Sequence, residues 1–470
     1  MKEILLLFAG VLLLAIASSK LLYRFGVPTL LIFLGLGMFF GCDGPGGIQF
    51  SDYELTGSVC SVGLIFIMFY GGFGTNWKEA KPVAKPAILM SSLGTLLTAL
   101  ITGGFAAWVL DVDWLQGMLV GAVLGSTDAA SVFSILRSRQ LNLKDGLASL
   151  LEIESGSNDP FAYMLTIVFL TLSTTGAGAE IVMQVLQQLI FGLGIGWVIG
   201  KGAVAILSRI RLEIDGLYSL FVMACALLSY ALCEYVGGNG YLCVYLAGIL
   251  MGNAQLPHKR SMVHFFDGIT WLMQIMLFFM LGLLSYPSRF SHVALPAIFI
   301  ALFMIFIARP LTVEVLLGHL SRNAKLFVSW VGLRGAASIV FAIFAVTGGS
   351  EFTVDLFHIV FVVSLVSVGL QGSLTPVLAR KFDLIEQGGS VLRTFNDYQD
   401  ESLTQLMEYH VEEESQWAGQ SLMEADIPRE VLVVMIRRGS ETIVPRGDTV
   451  IQPGDVLVLS CADFDQVALV

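Results

Sequence analysis

The sequence predicts an all-α polytopic membrane fold of thirteen transmembrane helices, with a small cytoplasmic domain, α/β or mainly β, at its C-terminus. Three observations carry this. Of the 470 residues, 56% are hydrophobic and only 13% charged, with mean hydropathy +0.79, whereas soluble proteins are about a quarter charged. Apolar runs near the ~20 residues that span a bilayer recur along most of the chain. Lys and Arg then collect in alternate loops. A strand barrel is excluded, because it needs short alternating segments.

The segments are expected near 3–22, 27–41, 57–74, 83–109, 114–136, 146–173, 181–207, 216–235, 240–252, 262–285, 293–318, 325–347 and 356–379, the second and ninth being short. One set of loops carries Lys20 and Arg24, Lys78, Lys81 and Lys85, Arg137, Arg139 and Lys144, Arg209 and Arg211, Lys259 and Arg260, Arg322 and Lys325, and Arg380 and Lys381. The other set carries Asp43, Asp52, Glu54, Asp111, Asp113, Glu180, Glu351 and Asp355, with Lys2 and Arg289 its only bases. Basic loops stay cytoplasmic, so the N-terminus is expected outside and the C-terminus inside, in a bacterial inner membrane. Ala15-Ile16-Ala17 mimics a signal-peptidase site, but Glu3 and the retained apolar length argue for an uncleaved first helix.

The domains expected are a transmembrane domain over 1–382, a polar linker over 383–402 and a small, largely β cytoplasmic domain over 403–470. In the last, short apolar stretches such as REVLVVMIRR and DVLVLSC are separated by the turn signals Arg446-Gly447-Asp448 and Pro453-Gly454-Asp455. Because the chain stops at Val470 just after a strand-like stretch, this domain is expected to be truncated. No basic patch suggests nucleic acid. The six cysteines form no metal spacing and read as buried small residues or unpaired thiols. No nucleophile–base set and no phosphate loop suggests an enzyme, and no cofactor is expected.

Chemistry must come from polar residues at membrane depth, where a charge costs at least ~2.5 kcal/mol. These are Asp128, Glu152, Glu154, Asp159, Lys201, Arg309 and Arg334, with Glu234 near an external helix end. Lys201 and Glu234 read as snorkelling side chains. Arg309 precedes Pro310, and a structural and a transport role are equally open there. The richest stretch is LEIESGSNDPFAY, Leu151 to Tyr163. On a helix, Glu154 shares a face with Asn158, and Ser155 with Asp159. Pro160 has no N–H to give the carbonyl of Gly156. A carboxylate, an amide, a hydroxyl and a loose carbonyl converge there as hard oxygen ligands for a dehydrated alkali cation. A helix–helix hydrogen-bond cluster would explain the Ser and Asn, but not Asp159 and two glutamates.

Two cassettes repeat: GSTDAAS, Gly125 to Ser131, and GLRGAAS, Gly332 to Ser338. Four of their seven letters match, and Thr127-Asp128 gives way to Arg334-Gly335. Small and polar residues weaken the fifth and twelfth helices in mid-membrane, where broken helices line sites. An acid at one break and a base at the other suit the partial charges of the freed helix ends. The two segments run in opposite directions, the pattern of an inverted repeat relating segments one to six to segments eight to thirteen.

Thr127-Asp128 in the fifth segment, Asn158-Asp159 in the sixth and GLRGAAS in the twelfth resemble the NhaP-type cation/proton antiporters, over segments one to thirteen. The resemblance implies a homodimer, each protomer with a dimerisation domain and a mobile six-helix core. It implies that Asp159 binds cation and proton in turn, assisted by Asn158, Ser155, Asp128 and Thr127. It also implies that Glu154 and Arg334 form a buried structural ion pair. Where many relatives carry an acid before a small-residue pair in the third segment, this chain has Tyr70 before Gly71-Gly72. From about 403 onward the tail resembles the C-terminal subdomain of the RCK/TrkA type, which implies a small-molecule regulator and, in this family, potassium/proton exchange.

The expected function is therefore antiport of K⁺ against H⁺ by competition at Asp159, electroneutral and gated by the tail. Na⁺ or Li⁺ is the alternative cation. An ion channel or a membrane sensor signalling through the tail are alternatives of a different class.

Overall fold

The apolar runs fold as helices because no water competes for their backbone groups, and each helix satisfies its own. In the computed structural model, which describes residues 2–22, 29–138, 141, 143–144, 146–175, 178–349, 352–385, 405–412, 415–428, 431–439 and 441–461, they run in the following order. First come α1 (Lys2–Leu22), α2 (Thr29–Phe40), α3 (Tyr53–Gly74), the short α4 (Trp77–Ala80), α5 (Ala84–Leu89) and α6 (Thr95–Leu110). Then come α7 (Trp114–Val123), α8 (Ala129–Ser138), α9 (Leu147–Thr175), α10 (Gly178–Leu207), α11 (Asp215–Tyr235) and α12 (Gly240–Gly252). The series ends with α13 (Lys259–Leu284), α14 (Phe290–Phe303), α15 (Arg309–Leu316), α16 (Arg322–Trp330), α17 (Ala336–Thr347), α18 (Leu356–Ser367) and α19 (Ser373–Lys381).

Seven helical stretches among the described residues are long and apolar enough to cross a bilayer: Tyr53–Gly74, Ala84–Leu110, Glu180–Leu207, Gly216–Tyr235, Lys259–Leu284, Pro287–Leu316 and Leu356–Lys381. Three of these absorb a π-helical turn, at Met90–Gly94, Met304–Ala308 and Val368–Gly372. The acids of one loop set start helices: Asp52 accepts from the N–H of Leu55 at 2.8 Å, and Asp113 from that of Leu115 at 3.0 Å. Asp355 does the same for His358, whose ring nitrogen Nδ1 also lies 2.7 Å from it. Burial alone would raise the Asp355 carboxyl, but the His358 and Arg289 hydrogen bonds hold it below the ordinary range.

The chain forms two compact units, Met1–Asn396 and Asp397–Val470. At the end of the first, Ile385 bridges Leu143, and Lys144 lies 3.2 Å from the Asp383 carboxylate. The expected linker lies outside the described residues from 386 onward, as do the loop residues Arg24, Arg139 and Glu351.

The second unit is an antiparallel sheet of β1 (Gln405–His410), β2 (Leu432–Arg438), β3 (Glu441–Ile443) and β4 (Val456–Cys461), in the order β1-β4-β2-β3. Trp417, Ile436, Ile451, Leu457 and Leu459 pack its core. Asp455 is buried, takes both Arg438 Nε and a terminal guanidinium N–H at 2.8 Å, and accepts from the N–H of Gln452. The Arg438 bonds hold its carboxyl below the ordinary range.

Candidate functional site

Both cassettes are breaks between helices. The first separates α7 from α8 over residues 124–128, and the second separates α16 from α17 over residues 331–335. The breaks cross. The N–H of Asp128 donates to the carbonyl of Leu333 at 2.7 Å, so each break satisfies part of the other. Every freed backbone group at this depth needs such a partner.

Arg334, 1% exposed, sends one guanidinium nitrogen to the carbonyls of Gly125 and Ser126, both at 2.9 Å. Those oxygens lie in the break just past the C-terminus of α7, so the cation sits near the negative end of that helix, where its field favours it. Its own N–H donates to Ser367 Oγ at 2.9 Å. The π-helical turn at Val368–Gly372 brings Gln371 to the same place, where its amide donates to the carbonyl of Trp330.

Asp128 faces the opposite ends. Its carboxylate accepts from the Ser131 N–H at 3.1 Å and from Ser131 Oγ at 2.6 Å, which caps α8. A Cβ on Gly335 would lie 2.5 Å from Asp128 Oδ2, so the acid also rests against the N-terminus of α17. The acid thus serves two positive helix ends and the base one negative end.

α9 carries the rest. Ser155 Oγ donates to the carbonyl of Thr127 at 2.6 Å. Asn158 Oδ1 accepts from the Thr127 N–H at 3.3 Å, and its amide donates to Thr127 Oγ1. Asp159, 7% exposed, accepts from Ser126 Oγ. Asp159, Asp128, Asn158, Ser155 and Thr127 are therefore one cluster, joined by Ser126. Ser126 belongs to the quoted cassette, yet spacing alone gave it no role. Past the cluster, the Pro160 carbonyl accepts from Asn239 Nδ2 at 2.8 Å, which fastens α9 to the start of α12.

The expected Glu154–Arg334 pair is not formed. Glu154 is paired with Arg309, and both side chains are almost wholly buried. Arg309 opens α15 directly after the π-helical turn at Met304–Ala308. Its Nε would lie 2.9 Å from a Cβ on Gly332, so the side chain passes over the second break to reach α9. Arg334 is drawn instead to the carbonyls of the first break. Elsewhere, Glu234 accepts from the Gly240 N–H at 2.9 Å and from Tyr163 at 3.4 Å. Tyr70 reaches Asp267 on α13 at 3.4 Å, an acid hidden inside an apolar run and passed over in the sequence. Lys201 is exposed and Glu152 half-buried.

At the crossing, three carboxylates (Asp128, Glu154 and Asp159) face two guanidiniums (Arg309 and Arg334). With all five ionised the set carries one uncompensated negative charge, which a single proton or a single monovalent cation neutralises. The donors are oxygens, and among the described residues no group of three His, Cys, Asp or Glu side chains is arranged to hold a metal ion.

Comparison with known proteins shows the family. Residues 9–381 match the family described as sodium/hydrogen exchanger, transmembrane, and residues 406–463 match the TrkA-C domain. The chain is 37% identical to the K(+)/H(+) antiporter NhaP2 of Shewanella sp. (strain ANA-3), over 95% of this chain and 79% of that protein. It is 36% identical to the K(+)/H(+) antiporter NhaP of Alkalimonas amylolytica, over 99% and 83%. The sodium proton antiporter MjNhaP1 of Methanocaldococcus jannaschii at pH 8 shares the fold with TM-score 0.71 at 24% identity, covering 81% of this chain and 99% of its own. The relatives are transporters rather than enzymes, and the chain belongs to the sodium/hydrogen exchanger family, as a multi-pass membrane cation/proton antiporter.

Proposed function

We propose that the chain exchanges K⁺ for H⁺ one for one, and that Asp159 holds either ion in turn. The observation that carries this is the charge count at the crossing. One negative charge is left over, so the site binds one positive charge at a time. Competition for Asp159 couples the two fluxes without contact between the ions, and a one-for-one exchange is electroneutral. Asp128, Asn158, Ser155 and Thr127 fix the breaks and supply oxygen around Asp159, while Glu154 with Arg309, and Arg334 with the α7 end, hold the frame.

Potassium is favoured by the relatives at 36–37% identity, which are K(+)/H(+) antiporters, and by the TrkA-C match, a domain type that accompanies potassium transport. A sodium reading is favoured by one weaker relative, a probable Na(+)/H(+) antiporter 2 of Methanocaldococcus jannaschii at 26% identity. Thirteen crossings arranged as inverted repeats form part of the proposal. It is supported by the paired breaks and by the π-helical turns at Met90–Gly94 and Met304–Ala308, which fall in the fourth and eleventh segments, repeat partners. The protein acts as a homodimer in the bacterial inner membrane, with its N-terminus outside. The cytoplasmic tail, over about 403–470, gates exchange on binding a small ligand, through the linker over 383–402.

Everted vesicles test the reading. Cation-driven proton movement is measured with K⁺, Na⁺ and Li⁺ over a pH series. Asp159→Asn is expected to abolish it while the protein still inserts and folds. Residual exchange in that variant would sink the assignment, and a preference for Na⁺ over K⁺ would replace potassium with the second reading.

A further inference from the structure

Tyr245 lies on α12, is 4% exposed, and its hydroxyl has no hydrogen-bond partner. Its position is fixed from two sides. Its own carbonyl is packed against α3 so closely that a Cβ on Gly72 would lie 2.3 Å from it. Its ring crosses to α9 and rests on Gly156, where a Cβ would lie 2.8 Å from Cε2 and 2.9 Å from the hydroxyl oxygen. Gly156 sits between Ser155 and the Asn158-Asp159 pair, and its carbonyl is the one that Pro160 cannot serve. Ser157 and Thr75 lie beside the hydroxyl, but neither meets hydrogen-bond geometry with it.

A buried hydroxyl with no partner is unfavourable, and phenylalanine would fill the same volume without that cost. The oxygen is therefore free to serve a bound ion. We infer that the Tyr245 hydroxyl is a further oxygen ligand of the transported cation, closing the site from α12. The crossing breaks supply Ser126, Thr127 and Asp128 on one side, and α9 supplies Ser155, Asn158 and Asp159. A dehydrated alkali cation at Asp159 needs oxygen around it, and Asp159, three residues on from Gly156, shares the side of α9 on which the Tyr245 ring rests. No bond is made or broken; the hydroxyl keeps its proton and lends a lone pair while the cation is bound.

This inference rests on the reading of Asp159 as the exchange site, so both are tested together in everted vesicles with the full chain. Tyr245→Phe is expected to raise the cation KM roughly five- to tenfold, the loss of one good polar contact, with the maximal rate retained and the melting temperature unchanged or higher. Gly156→Ala, which displaces the ring without removing the oxygen, is expected to raise KM in the same direction. Unchanged KM in Tyr245→Phe overturns the inference, as does a KM that rises only with a lower melting temperature. If Asp159→Asn is inactive while Tyr245→Phe matches the parent, this inference alone fails. If Asp159→Asn still exchanges, both fall.

Discussion

Arg309→Met removes the hydrogen-bond partner that Glu154 has among the described residues and keeps most of the side-chain volume. The two side chains are 5% and 2% exposed, and the second Glu154 oxygen has no donor. Breaking a pair buried to this degree costs about 3–5 kcal/mol, because a carboxylate is left uncompensated. At roughly 2 °C per kcal/mol for a domain of a few hundred residues, the melting temperature should fall by about 6–10 °C. A thiol-reactive dye suits the assay, since Cys60, Cys225, Cys233 and Cys243 are free and buried and become reactive only on unfolding. The double variant Arg309→Met with Glu154→Leu should recover most of the loss, because replacing both partners of a buried pair by apolar groups is often neutral. The same cycle run on Arg334 and Glu154 should show weaker coupling, since the Arg334 hydrogen bonds go to carbonyls. Stronger coupling of Glu154 to Arg334 than to Arg309 would refute the pairing and restore the one implied by the family resemblance.

Three further outcomes are expected. Gly335→Ala places a methyl 2.5 Å from the Asp128 carboxylate and should cut the antiport rate roughly ten- to a hundredfold with little change in expression. Parental rates would show that Asp128 need not touch the second break. Asn239→Ala loses the bond to Pro160 and the cap of α12, about 1–2 kcal/mol of stability by thermal melting, with cation KM unchanged; a large KM change would make Asn239 part of the site. Asp455→Ala removes both Arg438 bonds and should destabilise the tail by about 2–3 kcal/mol, read as faster hydrogen exchange in β2 and β4 of the full chain. Because the folded carboxyl lies below its unfolded value of about 3.9, this contribution is present at neutral pH and disappears only as pH falls below about 4. Tail protection that already declines between pH 7 and 5 would contradict the assignment.

The broken helices were legible because Gly, Ser and Thr stand where a bilayer helix would otherwise carry Leu or Val, and a charged letter follows in each cassette. Asp159 and its neighbours were legible from i, i+4 spacing along α9. The partner of Glu154 was not. The π-helical turn at Met304–Ala308 shifts the register just before Arg309, and only the absent side chain of Gly332 opens its route to α9. Helical spacing describes one helix at a time, whereas this pair joins α9 to α15 across a break in a third element. Asp267 escaped notice for a simpler reason: one acid within a long apolar run changes the mean hydropathy very little. In the tail, β2 and β4 fall in the two apolar stretches that the turn signals bracket, because strand periodicity there is not masked by a uniformly apolar surround.

The central claim is that proton and cation compete for one carboxylate. The direct measurement is the K⁺ KM for exchange in vesicles as a function of proton concentration on the same side, with the maximal rate followed in parallel. Competition at Asp159 predicts that KM rises toward tenfold per pH unit on the acid side of the carboxyl's titration, at constant maximal rate. A maximal rate that falls with acid while KM stays fixed would mean that proton and cation occupy different sites, and the account built on Asp159 would be wrong.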